Sequence, residues 1–416
     1  MNCMFYFNTL AIALLAAPLA AQEGIPDPFD KKQAPPPAMQ AEAGPPEVLG
    51  VRLVAESYRV QATWFAALMA QGKTDAELYD KVLDEAGREE ARVVLTDLQS
   101  ITSEPGHRAK VESHDEVITP GGFNAEHPPG FEGVAIGDML EMESVIASDG
   151  IGVHLNLALE HSRLSGFYPL RKSGDEIDRV TPKIEQRLIN NSATLDSGKT
   201  ALMGVTPETS ESADSHLVAS FLTPLLLNND KASLIVEGRW QMALTAWSLD
   251  AVEARRLIAT HRVDDETLLR ETRRSGQLET LLTAECHSGQ RVAVASHGKL
   301  TYGTWLASSS QWSSLATREL GGRVEFDPVL SNDRDRAQVS VRIENGAFRG
   351  DWRGHDALAR APSQPVFATR RLLSTAMVLA GQPRFVGTLN EPGGTGVNER
   401  QPSGKVSLVF LELRLP

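Results

Sequence analysis

The sequence predicts an α+β fold rich in strands, built as two tandem homologous domains of mainly antiparallel strands with an early helix in each. Three observations predict it. Residues 187–204 align without a gap on 370–387, about 183 positions later, with Arg187 on Arg370, Ala193 on Ala376, Gly198 on Gly381 and Gly204 on Gly387. Further blocks recur in the same order: 106–114 with 289–297, 137–149 with 321–333, and 221–226 with 410–415. Apolar and charged residues alternate with period two in Met139-Leu140-Glu141-Met142-Glu143 and in Arg323-Val324-Glu325-Phe326-Asp327. A fixed order of short blocks, met twice, marks a duplication. The two domains are placed at 50–230 and 231–416.

Taken in chain order, residues 1–21 carry the apolar run from Leu10 to Ala17, then Pro18 and small residues, the pattern of a secretory signal peptide. The run is too short to cross a bilayer comfortably as a helix. Residues 22–49 hold Pro26, Pro28, Pro35, Pro36, Pro37, Pro45 and Pro46 among alanines, and read as a disordered tether. Each domain then opens on a strand-like stretch, 51–64 and 232–247. Helices follow, begun by the capping patterns Thr74-Asp75-Ala76-Glu77 and Asp264-Asp265-Glu266-Thr267. Leu78, Val82 and Ala86 in one, and Leu268 and Leu269 in the other, supply a buried face. The remainder reads as strands: 139–143 and 323–327, turns at 148–150 and 332–335, then strands at 153–157 and 338–342. Residues 194–202 read as a hairpin with Asp196-Ser197-Gly198 at its tip.

Composition bounds the function. With 41 basic against 54 acidic residues the net charge is −13, which disfavours nucleic-acid binding. There are two cysteines, Cys3 and Cys286. With Cys3 in the leader, the exported chain has no intramolecular disulfide.

This order of pieces resembles the C-terminal homology domain of secretins, the ring-forming outer-membrane channels of type II and type III secretion and type IV pili. Gly289-Gln290-Arg291-Val292-Ala293 resembles the family's first glycine-containing strand piece. Gly322-Arg323-Val324-Glu325-Phe326-Asp327-Pro328-Val329-Leu330 with Asp333 resembles its "G-x-x-L-x-V-x-P-x-I-x-x-D" segment. Pro365 through Arg370, Thr375, Gly381-Gln382 and Gly387 resemble the third piece, and 217–224, ending in Thr223-Pro224, the closing strand. The family's "PxLGxIPxxGxLF"-like segment is missing from 204–216 and from 387–405. The resemblance therefore implies the fold, an envelope location and oligomers more than it implies a channel.

Residues with chemistry to offer were weighed in turn. Glu141 and Glu143 share a strand face, as paired carboxylates would, but recur as Glu325 and Asp327 and so read as a solvated face. His114 and His297 are equivalent, without partners at ligand spacing in both copies; His154 and His161, with Glu160, lie too far apart on a strand for a compact site. The serines at 210, 212 and 308–310 lack a nucleophile-elbow context. Gly133, Gly137 and the glycines of 393–396 are not phosphate loops. No catalytic, cofactor or metal residue is assigned.

The expectation is an exported, non-enzymatic envelope protein, in the periplasm or outer membrane, acting in assembly or protein–protein interaction, with a link to protein secretion. Its partner is itself or another envelope protein, met through edge strands at 217–226 and 406–415. No small-molecule ligand, cofactor or nucleic acid is inferred. The alternatives are a secretin-type channel subunit and an exported hydrolase or carbohydrate-binding protein.

Overall fold

A computed structural model describes residues 48–88, 92–120, 131–173, 176–208, 216–228, 240–308, 311–331, 336–352, 364–392 and 404–414. They belong to one compact unit, Pro45–Pro416. The leader expected over 1–21 lies outside the described residues, as does the tether up to residue 47. Residues 48 and 49, assigned to the tether, already belong to the first strand.

The first half runs β1 (Val48–Gln61), α1 (Ala62–Met69), α2 (Asp75–Ala86), β2 (Val93–Ser103), β3 (Arg108–Pro120), β4 (Phe131–Ile146), β5 (Gly152–Ser173), β6 (Glu176–Asp196), β7 (Ala201–Pro207) and β8 (His216–Asn228). The second runs β9 (Trp240–Asp250), α3 (Ala251–Thr260), α4 (Asp265–Ser275), β10 (Gln277–Cys286), β11 (Val292–Ser308), β12 (Gln311–Leu330), β13 (Arg336–Trp352), β14 (Gln364–Leu379), β15 (Pro383–Asn390) and β16 (Lys405–Arg414). The β-rich α+β class is therefore observed, with the same order of elements in each half.

The strands form two antiparallel sheets of eight. The first is ordered β10-β9-β16-β15-β2-β1-β8-β7, and the second β11-β12-β13-β14-β3-β4-β5-β6. Each half gives four neighbouring strands to each sheet, and both sheets run unbroken across the boundary between the halves. Between the sheets lies one apolar core, where Val51, Leu53 and Ile101 of the first meet Val111, Leu140, Leu155, Val339 and Leu372 of the second. The other face of the first sheet carries the helices. Phe65, Leu68, Leu78 and Val82 pack there with Tyr58 and Phe221. Leu257, Ile258, Leu268 and Leu269 pack with Leu98, Phe385 and Phe410.

The capped starts are as read. Thr74 N–H donates to the Glu77 carboxylate at 2.8 Å while the Thr74 hydroxyl accepts from Glu77 N–H. Asp264 accepts from Thr267 N–H at 2.9 Å. Two helices per half replace the single one expected. Residues 62–64, read as the end of a strand, open α1, because Phe65 and Leu68 three apart bury on one side.

The hairpin expected over 194–202 is not one. β6 closes the second sheet and β7 closes the first, so the turn at Ser197-Gly198 carries the chain from one layer to the other. Leu195 before it and Met203 after it both pack on the core between the sheets, which sets the two strands face to face instead of side by side.

Equivalent glycines lie at equivalent crossings. Gly137 stands opposite His114, and Gly321 opposite His297. Both have positive φ, 154° and 121°, and a β-carbon on either would meet the carbonyl of Ser113 or Ser296.

Candidate functional site: the joint between the halves and the outer edges

The two halves meet strand to strand. In the second sheet β14 pairs with β3 from Val366 opposite Val117 to Leu373 opposite Lys110. In the first sheet β15 meets β2 at Gly387 opposite Ile101. A β-carbon on Gly387 would lie 2.7 Å from the Ser100 carbonyl and 3.4 Å from the Ile101 Cα, so glycine permits this approach. Beside it the Thr388 hydroxyl accepts from Ser100 N–H at 2.8 Å.

Three sets of charged groups fasten this joint. Arg52 of β1 is fully buried and donates to Asp265 of α4 at 2.5 Å, to the Arg262 carbonyl at 2.7 Å and to Thr102 at 3.2 Å. Its guanidinium lies 4.7 Å from the Phe385 ring centroid, and Arg384 donates to the other Asp265 oxygen at 3.2 Å. The second set centres on Glu56 of β1, which accepts from Tyr58 at 2.8 Å and Tyr79 at 2.5 Å and pairs with Arg255 of α3 at 3.1 Å. Burial, then the Glu56 charge, raises both phenols above their usual range.

The third set crosses the second sheet. Arg371 bridges Glu112 at 3.1 Å and Glu344 at 2.9 Å, and Arg318 pairs with Glu116 while lying 4.7 Å from the Phe367 ring centroid. Arg349 sits 3.6 Å from Asp115 and 3.0 Å from Glu391. Asp115 is 1% exposed, and burial pushes its carboxyl up to about 6 against the pull of Arg349. Nearby, Asp97 accepts from Asn390 at 2.7 Å and from Gln99 at 2.8 Å. Burial, and then Asp138, holds its carboxyl well above the usual carboxylate range.

The edges are not those expected from the sequence. Residues 217–226 lie in β8, between β1 and β7; residues 406–414 lie in β16, between β9 and β15. Each closing strand is central because it pairs with the opening strand of its own half, as in Leu53 opposite Pro224 and Met242 opposite Leu413. Residue 415 lies outside the described residues. The outer edges are β7 and β10 in the first sheet, β6 and β11 in the second. They carry exposed apolar side chains: Leu188 on β6, and Leu278 and Leu281 on β10.

The residues weighed for chemistry are dispersed. Glu141 pairs with Arg108, Glu325 with Arg323 and Asp327 with Arg291, while Glu143 is exposed, as a solvated face requires. His114 is partly buried and burial lowers its basicity; the His297 ring lies 3.7 Å from Glu319. His161 pairs with Asp138, His154 bonds to Thr194 at 2.6 Å, and Glu160 accepts from Gln186 at 2.7 Å. The serines at 210 and 212, 309–310 and the glycines of 393–396 lie outside the described residues, and nothing is described of the side chain of Ser308. No group of three or more His, Cys, Asp or Glu able to hold a metal ion occurs among the described residues.

The joint residues Arg52, Glu56, Asp115 and Asp265 were not singled out from the sequence. A signal for them existed. Strand register sets Arg52 and Glu56 level with Gln241 and Thr245, and Asp115 level with Gly298, so the charges break the repeat.

No family model matches the chain, and no curated protein matches it. Solved structures do. The Aeromonas hydrophila ExeD structure is 15% identical over 44% of this chain and 49% of its own, with a TM-score of 0.22. The Salmonella SPI-1 type III secretion injectisome secretin InvG is 13% identical over 54% of this chain and 73% of its own, with a TM-score of 0.24. The V. cholerae type IV competence pilus secretin PilQ is 8% identical over 88% of this chain and 61% of its own, with a TM-score of 0.24. The chain spans about half the length of the first of these. Likeness at such identities and TM-scores carries no argument about what the chain does.

Proposed function

We propose that this chain is an exported, non-enzymatic envelope protein with two secretin-like repeats, which acts in assembly by strand pairing at its sheet edges and serves protein secretion. One observation carries the reading: the repeats already join edge to edge, β14 to β3 and β15 to β2, leaving β6, β7, β10 and β11 as the matching outer edges. An open sheet edge offers backbone donors and acceptors that another strand satisfies. The secretin-like blocks around Gly289-Gln290, Gly322 to Leu330 and Gly381-Gln382 support the same reading.

The test is the mass of the chain from residue 22 onward by light scattering, with and without detergent, beside crosslinking in envelope fractions. A defined oligomer, or a crosslinked envelope partner, is the expected result. A monomer without a partner in the envelope removes the reading. A large ring formed only in detergent would favour a channel subunit instead.

A further inference from the structure

We propose that the split in the first sheet beside Asp97, at the joint between the halves, binds a small organic ammonium ion: one cationic nitrogen on a short apolar body. The site lies within one chain and does not involve the outer edges.

The split follows from strand register. β2 and β15 are neighbours, yet among the described residues their backbones pair only at Gly387 opposite Ile101. Past that point the bonds across run through side chains: the Thr388 hydroxyl accepts from Ser100 N–H, and the Asn390 amide donates to Asp97. The start of β2 thus stands apart from β15 and β16, and a cavity of about 440 Å3 opens between them, a size that suits a small organic molecule. The end of α2 and the start of α3 line it too. Leu83, Ala86, Leu95, Leu98, Val252 and Val406 give it apolar walls.

The polar groups at its floor are acceptors in want of a donor. Asp97 accepts from Gln99 and from Asn390, and each of these amides leaves its own oxygen buried without a hydrogen-bond partner among the described residues. Asn390, which lines the cavity, is 6% exposed. The charges are one cation short. Asp97 and Asp138 line the cavity together and repel one another. Arg187, which shares a second, smaller cavity with Asp97 and His161, attracts both carboxylates, and His161 pairs with Asp138. With the imidazole neutral, two carboxylates meet one guanidinium. Arg255 adds nothing free to the balance, because Glu56 matches its charge and it donates to Tyr58 and Tyr79. Asp250, at the rim, accepts from Val252 N–H.

A buried set short of one positive charge takes up a proton or a cation. Burial, and then Asp138, already favours the proton on Asp97. An ammonium ion brings the charge together with donors for the idle oxygens, and the apolar walls take the chain that carries it. A bare metal ion is less well served, since no group of three or more His, Cys, Asp or Glu able to hold one occurs among the described residues. An anion would meet like charge at the floor.

Calorimetric titration of the chain from residue 22 onward with n-hexylammonium chloride at about pH 8 tests this, beside n-hexanol, sodium hexanoate and ammonium chloride. The expected result is one saturable site for hexylammonium, with the other three weaker by about tenfold or more. Asp97→Asn, checked for an unchanged circular dichroism spectrum, weakens binding by about tenfold or more. Val252 is 65% exposed, so its variants spare the fold. Val252→Arg weakens binding by about threefold or more, and Val252→Glu does not weaken it. At about pH 5 a proton on Asp97 or His161 supplies the missing charge, so the parent binds more weakly than at about pH 8, and Asp97→Asn shows less of this change. Absence of saturable hexylammonium binding overturns the site. Hexanol or hexanoate bound as tightly overturns the ammonium as its ligand. Binding indifferent to Asp97→Asn and to both Val252 variants overturns this cavity as the place.

Discussion

Asp115 is a residue whose charge opposes the fold. Its carboxyl is 1% exposed, one oxygen lacks a hydrogen-bond partner, and its pKa is pushed up to about 6. A raised carboxyl pKa means that the folded chain binds a proton more tightly than the unfolded chain, whose value is about 3.9. Its contribution is therefore most favourable below about pH 4 and declines as pH rises through about 6, by about 3 kcal/mol in all. In Asp115→Asn this decline is absent. Denaturant unfolding of variant and parent at pH 4.5 and pH 7 should show the stability difference shifting toward the variant at the higher pH. The buried carboxylate of Asp265, by contrast, is held by two ion pairs. It is the anion for Arg52 and Arg384, so Asp265→Ala leaves buried cations unpaired and should cost about 3–5 kcal/mol. Its exposed counterpart offers the control: Asp75→Ala should cost about 1 kcal/mol or less in the same melt.

At the level of elements, Gly387 and Gly204 make a matched pair. Gly387→Ala forces β15 off β2, because the new carbon would sit 2.7 Å from both the Ser100 carbonyl and Leu372. The expected loss is about 2 kcal/mol or more. Gly204→Ala meets only Ile189, its nearest atom at 3.0 Å, and should cost about half as much. Thermal melts of the two variants under one set of conditions decide it. What could be read in advance follows from the range of the forces involved. Caps and periodicity act over a few residues, so the helix starts at Thr74 and Asp264 and the strands around Leu140 and Val324 were legible. Layer assignment is not local: nothing between Thr194 and Leu202 states that the chain changes sheets there. The same holds for the edges. Residues 217–226 read as one more mostly apolar strand, and only the pairing of Pro224 with Leu53 reveals them as central. Arg52 and Glu56 are not legible either, because the helices that bury their side of β1 are placed by tertiary packing.

For the whole molecule, the joint makes the two halves partners as well as neighbours in sequence. A protease site placed between Asn228 and Trp240 tests how far that partnership holds. The cleaved halves should elute together as one species at pH 7 and moderate salt, held by β14–β3, β15–β2 and the Arg52–Asp265–Arg384 set. Elution as two separate species would show that the linker, rather than the joint, keeps them together. The order β2-β1-β8-β7, met twice in one sheet, also fixes a point of arithmetic. A copy of this chain is a step of two repeats. Any closed circle of such copies must then hold an even number of repeats, and its rotational symmetry can be only half of that number.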